Sequence, residues 1–152
     1  MERTQIDLSN YRLGKAQDDL GTAEENLEKN RISQSINRSY YAIFHATRAL
    51  LALDKLDSRK HSGVISFFNQ HYIKTGKIEW EFYRILSSAF DIRKESDYND
   101  FYIALREDAQ LQLENARKFL DRIQEYIKNV SHEGKNEETK EKLDAKNDGG
   151  VR

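Results

Sequence analysis

Residues 9–29, SNYRLGKAQDDLGTAEENLEK, place Leu13, Ala16, Leu20, Ala23 and Leu27 at alternating spacings of three and four. Such a stripe follows one side of an α-helix and has the period that antiparallel bundles use. Ser9, just ahead of the stripe, has the side chain of an N-cap. Gly14 and Gly21 lie seven apart and therefore share a face. Each costs about 1 kcal/mol of helix propensity against alanine, which predicts either an exposed position or the close approach of another helix.

The same period continues on the C-terminal side. Residues 31–54 form a second predicted helix, with Ile36, Tyr40, Ile43, Thr47, Leu50 and Leu51 on one face. Gln34, Arg38, Tyr41, His45 and Arg48 lie roughly opposite, so this helix is expected to be central, with one side on the core and the other lining something. A connection of about eight residues ends in Lys60-His61-Ser62-Gly63. A third helix, about 62–75, carries Val64, Ile65, Phe68, Tyr72 and Ile73 and stops at Gly76. A fourth, about 78–96, carries Trp80, Tyr83, Leu86, Ala89 and Phe90, with Arg93 continuing the stripe. Asp97-Tyr98-Asn99-Asp100 reads as a turn. The fifth, about 102–130, repeats the stripe of the first with Ala109, Leu113, Ala116, Leu120, Ile123, Ile127 and Val130, and is long enough to pair with it. No segment alternates convincingly with a period of two, and proline is absent. The expected fold is all-α, an antiparallel bundle of about five helices.

Composition divides the chain. Residues 131–152 hold only Leu143, Ala145 and Val151 as apolar groups. They bury too little surface to offset chain entropy, and a charged flexible tail is expected there, after a bundle over residues 1–130. The net charge of −1 gives no global drive toward nucleic acid, so any RNA contact needs a local patch. The absence of cysteine excludes disulfides, thiolate metal sites and cysteine nucleophiles. No apolar run approaches a membrane span and no signal-peptide pattern opens the chain, so a soluble cytoplasmic protein is expected.

The motifs narrow the chemistry further. The seven glycines are scattered, without a phosphate loop, and no nucleophile elbow is present. No His pair has the i, i+4 spacing of a helical metal site, so no metal or cofactor is expected. What remains is the polar face of the second helix with the residues after the fourth. Arg38 and His45, seven apart, share a face, and Arg48 follows one turn on. His61 enters the third helix, while Arg93, Asp97 and Tyr98 end the fourth. Arginine offers planar donors to phosphate, and histidine exchanges protons near neutral pH. Arg38, Tyr41, His45, Arg48, His61, Arg93, Asp97 and Tyr98 are therefore the candidate ligand-binding residues, and His45 and Arg93 the candidate catalytic ones. Simpler roles stand beside these: a buried histidine at His45, an intrahelical ion pair for Arg93 with Asp97, a core position for Tyr40. His71, His132 and the charges of the first and fifth helices read as solvated surface.

Three blocks resemble, in order and spacing, the signatures of small prokaryotic HEPN-domain proteins: Asn37-Arg38-Ser39-Tyr40-Tyr41-Ala42-Ile43-Phe44-His45-Ala46, Lys60-His61-Ser62-Gly63-Val64, and Ala89-Phe90-Asp91-Ile92-Arg93-Lys94-Glu95-Ser96-Asp97-Tyr98. The resemblance spans about residues 8–130. It implies a helical bundle that forms a homodimer and pairs with a minimal nucleotidyltransferase in a toxin–antitoxin-like module. Many HEPN proteins are metal-independent ribonucleases whose motif is Arg, four to six residues, then His, at the start of the last long helix. Here Arg93 matches the Arg, but Tyr98 stands where the His would fall. Asp100 occupies the place of the tyrosine that the partner nucleotidylates. Three functions follow as expectations: a HEPN partner protein that binds RNA or a nucleotide without cleaving it, a ribonuclease toxin in which His45 or His61 replaces the missing histidine, or a purely structural interaction module. The first two require Arg38, His45 and Arg93 to converge in space.

Overall fold

The computed structural model describes the backbone of residues 2–148 and the side chains of residues 2–131 and of Leu143. Its elements are α1 (Arg3–Glu28), α2 (Ile32–Ala52), α3 (His61–Phe68) continued by a π-helical turn over Asn69–Ile73, α4 (Trp80–Tyr98) and α5 (Arg106–Asp148). No strand occurs among the described residues. The fold is all-α, as the periodicity predicts.

The central position expected for α2 follows from its composition. Ala42, Ala46, Ala49 and Ala52 let neighbouring helices approach closely, and Ile36, Tyr40, Ile43, Leu50 and Leu51 fill the space between. Thr47 is buried too, its hydroxyl donating to the Ile43 carbonyl at 2.8 Å. All six positions assigned to the core face are buried. Helices α1, α3, α4 and α5 all pack on α2. From α5, Ala116, Phe119, Leu120 and Ile123 close the core over Phe68 and Tyr72.

Several boundaries move, each for a local reason. Helix α1 begins at Arg3, because Gln5 turns back to accept the Glu2 backbone N–H at 2.8 Å and so satisfies a first-turn donor. Ser9 is consequently buried inside the helix and caps nothing. The expected turn over 97–100 is half helix: α4 runs through Tyr98, its last turn held by an Arg93–Asp97 ion pair, and the chain turns at Asn99, whose carbonyl accepts the Tyr102 N–H. The third helix widens into the π turn at Asn69, where Lys74 N–H reaches the Asn69 carbonyl, ends at Ile73, and passes into a turn that closes at Gly76 with φ +76°. A side chain would be strained at that angle. Gly63 is needed for space, since a Cβ there would lie 2.1 Å from Ser58 Oγ. Gly14 and Gly21, by contrast, meet no other helix among the described residues: no atom beyond their own stretch of helix lies within 4 Å of where a Cβ would stand.

The backbone of α5 is helical to Asp148. The charged tail expected over 131–152 otherwise falls outside the described residues, apart from Ser131 and an exposed Leu143. Among the described residues no helix is long and apolar enough to cross a membrane.

Candidate functional site

Tyr41 organises the polar side of α2. Its ring lies 4.9 Å from the Arg38 guanidinium carbon and 5.4 Å from that of Arg93. Its hydroxyl accepts a 3.0 Å hydrogen bond from Arg93. The His45 ring is 5.9 Å away and the His61 ring 6.1 Å. Arg38, His45 and Arg93 thus converge on one aromatic ring, by helical periodicity within α2 and by the packing of α4 across it. Tyr98, one turn beyond Arg93 and largely exposed, adds a ring 5.6 Å from the same guanidinium.

Two carboxylates hold the arginines. Asp19 of α1 accepts from Arg38 at 3.0 Å, and its other oxygen lies 3.6 Å from His45 Nε2. Asp97 pairs with Arg93 at 2.9 Å and also accepts from Asn37 Nδ2 at 2.9 Å. Asn37 Oδ1 in turn accepts from Arg38 Nε and Nη2. The chain Asp19–Arg38–Asn37–Asp97–Arg93–Tyr41 therefore ties three helices together. Asp19 and Asn37 are absent from the candidates read from the sequence. Asp19 lies among the charges of α1 read as solvated surface, and nothing local reveals partners 19 residues away. Asn37 falls inside the quoted α2 block, where an asparagine between Ile36 and Arg38 carries no periodic signal.

The other candidates are placed differently. Arg48 is turned away toward the loop before α3, where it and the buried Arg12 share Asp57. Arg12 is a further exception to the solvated reading of α1, its guanidinium donating to the Arg48 carbonyl at 3.1 Å. Burial alone would raise the Asp57 carboxyl, but hydrogen bonds from Arg48 and from Ser58 N–H outweigh it and hold it below the usual range. His61 is stacked 4.3 Å from Phe44, with Nδ1 2.5 Å from the Tyr40 hydroxyl. Burial holds that phenol protonated and pushes the imidazole toward neutrality, so a neutral pair shares one hydrogen bond. Tyr40 itself is buried, as its core reading expects.

His45 has an electrostatic peculiarity. Burial first, then the charges of Lys15, Arg48, Arg38 and Arg12, push its pKa down to about 4. Asp19, beyond hydrogen-bond reach and engaged by Arg38, does not offset them, and burial raises the Asp19 carboxyl itself. His45 Nδ1 is buried without a partner. The unfolded chain protonates this imidazole near 6.5 and the folded chain near 4, so the unfolded state binds more protons between those values. Stability should therefore fall as pH drops from about 6.5 toward 4. His61, lowered by burial and by Arg93 and Arg48, adds to the same slope. Urea midpoints measured at pH 7 and pH 4.5 should differ in the wild type and differ less in His45→Gln. An identical pH dependence in both proteins would remove His45 as a source of it.

Beside the cluster lies an open cleft of about 460 Å³, bordered by α1, α2 and the end of α4, with Asn37, Arg38 and Asp97 in its wall. Among the described residues no three His, Cys, Asp or Glu side chains group as a metal site.

The HEPN domain model matches residues 9–127, which encloses the whole cluster from Asp19 to Tyr98. The chain belongs to the HEPN family. Among its relatives is a UPF0332 protein of Thermotoga maritima, 34% identical over 116 residues, covering 76% of this chain and 88% of that protein. Two proteins of Methanocaldococcus jannaschii named "putative toxin" are 32% and 31% identical, over 76% and 78% of this chain and 85% and 82% of their own lengths. Membership of the HEPN family gives the three matched blocks a common frame. All three meet around Tyr41: the α2 block supplies Arg38, Tyr41 and His45, the second His61, and the third Arg93, Asp97 and Tyr98.

Proposed function

We propose that this HEPN protein belongs to a toxin–antitoxin-like module, binds RNA or a nucleotide without cleaving it, and works as a homodimer beside a minimal nucleotidyltransferase. The observation that carries the ligand-binding part is the convergence of Arg38 and Arg93 on Tyr41 at the edge of a polar cleft. Guanidinium groups offer paired donors to phosphate, and an aromatic face accepts a stacked base. Because Asp19 and Asp97 compensate the two arginines, attraction to anions at long range is weak, and affinity rests on directional hydrogen bonds and stacking.

The geometry supports binding over cleavage. Metal-free RNA cleavage needs a group that donates a proton to the leaving oxygen near neutral pH. Burial and nearby cations push His45 down to about 4, which favours its neutral form there, and Tyr98 stands at the family's histidine position. For assembly, the segment joining α4 to α5 exposes Phe101 (93%), Ile103 (79%) and Leu105 (55%), an apolar surface of the kind that partners cover. The relatives bearing the toxin name support the module reading.

Purified protein should bind a mixed single-stranded RNA in fluorescence anisotropy and leave it intact in EDTA. Cleavage by the wild type that is lost in His45→Ala would overturn the non-cleaving assignment in favour of a ribonuclease. An intact dimer with no affinity for RNA or nucleotides would leave a structural interaction module.

A further inference from the structure

The cleft next to the arginine–tyrosine cluster has a chemistry of its own. Its volume, about 460 Å³, falls in the range of roughly 300–1,000 Å³ typical of small-molecule sites. A phosphate pocket would be lined by cations. This one has amides from Asn26, Gln34 and Asn37, hydroxyls from Ser33 and Ser96, and one carboxylate beside one guanidinium. A phosphate seated there would face Asp97 at close range. A neutral heterocycle with N–H groups on its edge would donate to that carboxylate instead.

The carboxylate is also engaged through one oxygen, by an ion pair and a hydrogen bond. Arg93 Nε and Asn37 Nδ2 both contact Asp97 Oδ2, each at 2.9 Å, and neither contacts Oδ1. The Asn37 amide cannot easily turn, because its oxygen is taken by Arg38 at 2.8 and 3.1 Å. Across the same wall, Ser96 Oγ is buried with no hydrogen-bond partner. The cleft therefore presents a carboxylate acceptor and neighbouring amide groups at the mouth of a cluster that carries arginine and aromatic groups.

The bases differ in what they offer such a wall. Guanine shows two adjacent donors, N1–H and the N2 amino group, next to the O6 acceptor. Adenine and cytosine each show one amino group beside an acceptor nitrogen, and uracil one N–H between two carbonyls. Only guanine lets a carboxylate gain two donors while an amide meets the adjoining acceptor, and pairing of carboxylates with base amino groups is a general readout. We propose that this cleft is a guanine-reading subsite. Asp97 accepts from N1–H and the N2 amino group, Gln34 donates to O6, and Arg38 lies at the mouth where the ribose phosphate leaves for Tyr41. The assignment rests on the RNA- or nucleotide-binding role proposed above and deepens it.

The test is equilibrium binding of GMP, IMP and AMP to the full chain by calorimetry, followed by a G-containing and an A-only single-stranded RNA of equal length. GMP should bind about tenfold tighter than AMP, with IMP between them because hypoxanthine lacks the N2 amino group. Asp97→Asn should abolish the preference. Because that change also removes the partner of Arg93, Gln34→Ala serves as a second variant: exposed and outside the ion pairs, it should weaken GMP several-fold and leave AMP unchanged. Equal affinity for GMP and AMP, or a preference that survives Asp97→Asn, would overturn the guanine assignment and leave the binding role standing. No affinity for any of these ligands would overturn both.

Discussion

Arg93→Ala should lower affinity for single-stranded RNA by about 30- to 100-fold, the equivalent of roughly 2–3 kcal/mol. Arg93 links the end of α4 to the aromatic rings of the site. Its guanidinium contacts Asp97, donates to the Tyr41 hydroxyl, and lies 5.4–5.6 Å from the rings of Tyr40, Tyr41 and Tyr98. Truncation removes a donor to the ligand and releases Asp97 and Tyr41 from their fixed positions at once. Arg93→Lys keeps the charge without the planar donors, so it should recover only part of the loss. Thermal melts of the same variants discriminate the simpler role. If Arg93 only ties α4 to α2, both substitutions would shift the melting temperature while RNA affinity of the folded protein stayed at the wild-type value.

The sequence was readable where periodicity decides the outcome, and less so where partners lie across helices. Helix α2 shows both sides of this. Its buried face follows from spacings of three and four, because a residue's side of a helix is fixed by its number. Its polar face was readable for the same reason, and so Arg38, Tyr41 and His45 could be grouped. What those groups touch is set by the packing of α1 and α4, and no local pattern records it. Asp19 and Asn37 were accordingly missed, and Arg12 and Ser9, placed on the surface and at a cap, are buried. Arg48 was grouped with the site on spacing alone, and a loop carboxylate, Asp57, draws it elsewhere. His61 and Arg93 join the candidates through residue chemistry and their places at helix ends, and the family blocks contain both. The π turn after Phe68 had no sequence signal at all, since its residues continue the helical stripe without a break.

The largest loss of stability is expected from Phe119→Ala, about 3–5 kcal/mol, with a fall in melting temperature of roughly 10–18 °C. Phe119 is fully buried, and its ring lies 5.8 Å from Phe68 and 6.0 Å from Phe82, so one side chain of α5 holds down α3 and α4 together. Alanine would leave a cavity that three helices border and that only a rearrangement of all three could fill. For a domain whose whole stability is of the order of 5–15 kcal/mol, that is a substantial fraction. Leu111→Ala on the same helix, half-exposed, should stay within about 0.5 kcal/mol of the wild type. A similarly small shift for Phe119→Ala would mean that α5 does not close the core. The comparison with Arg93 separates the two halves of the molecule. Phe119 belongs to the core and not to the cleft, so below its lowered melting temperature the variant should bind RNA as the wild type does. Arg93→Ala should give the reverse pattern, a folded protein that has lost its ligand, because α2 carries the core on one face and the site on the other.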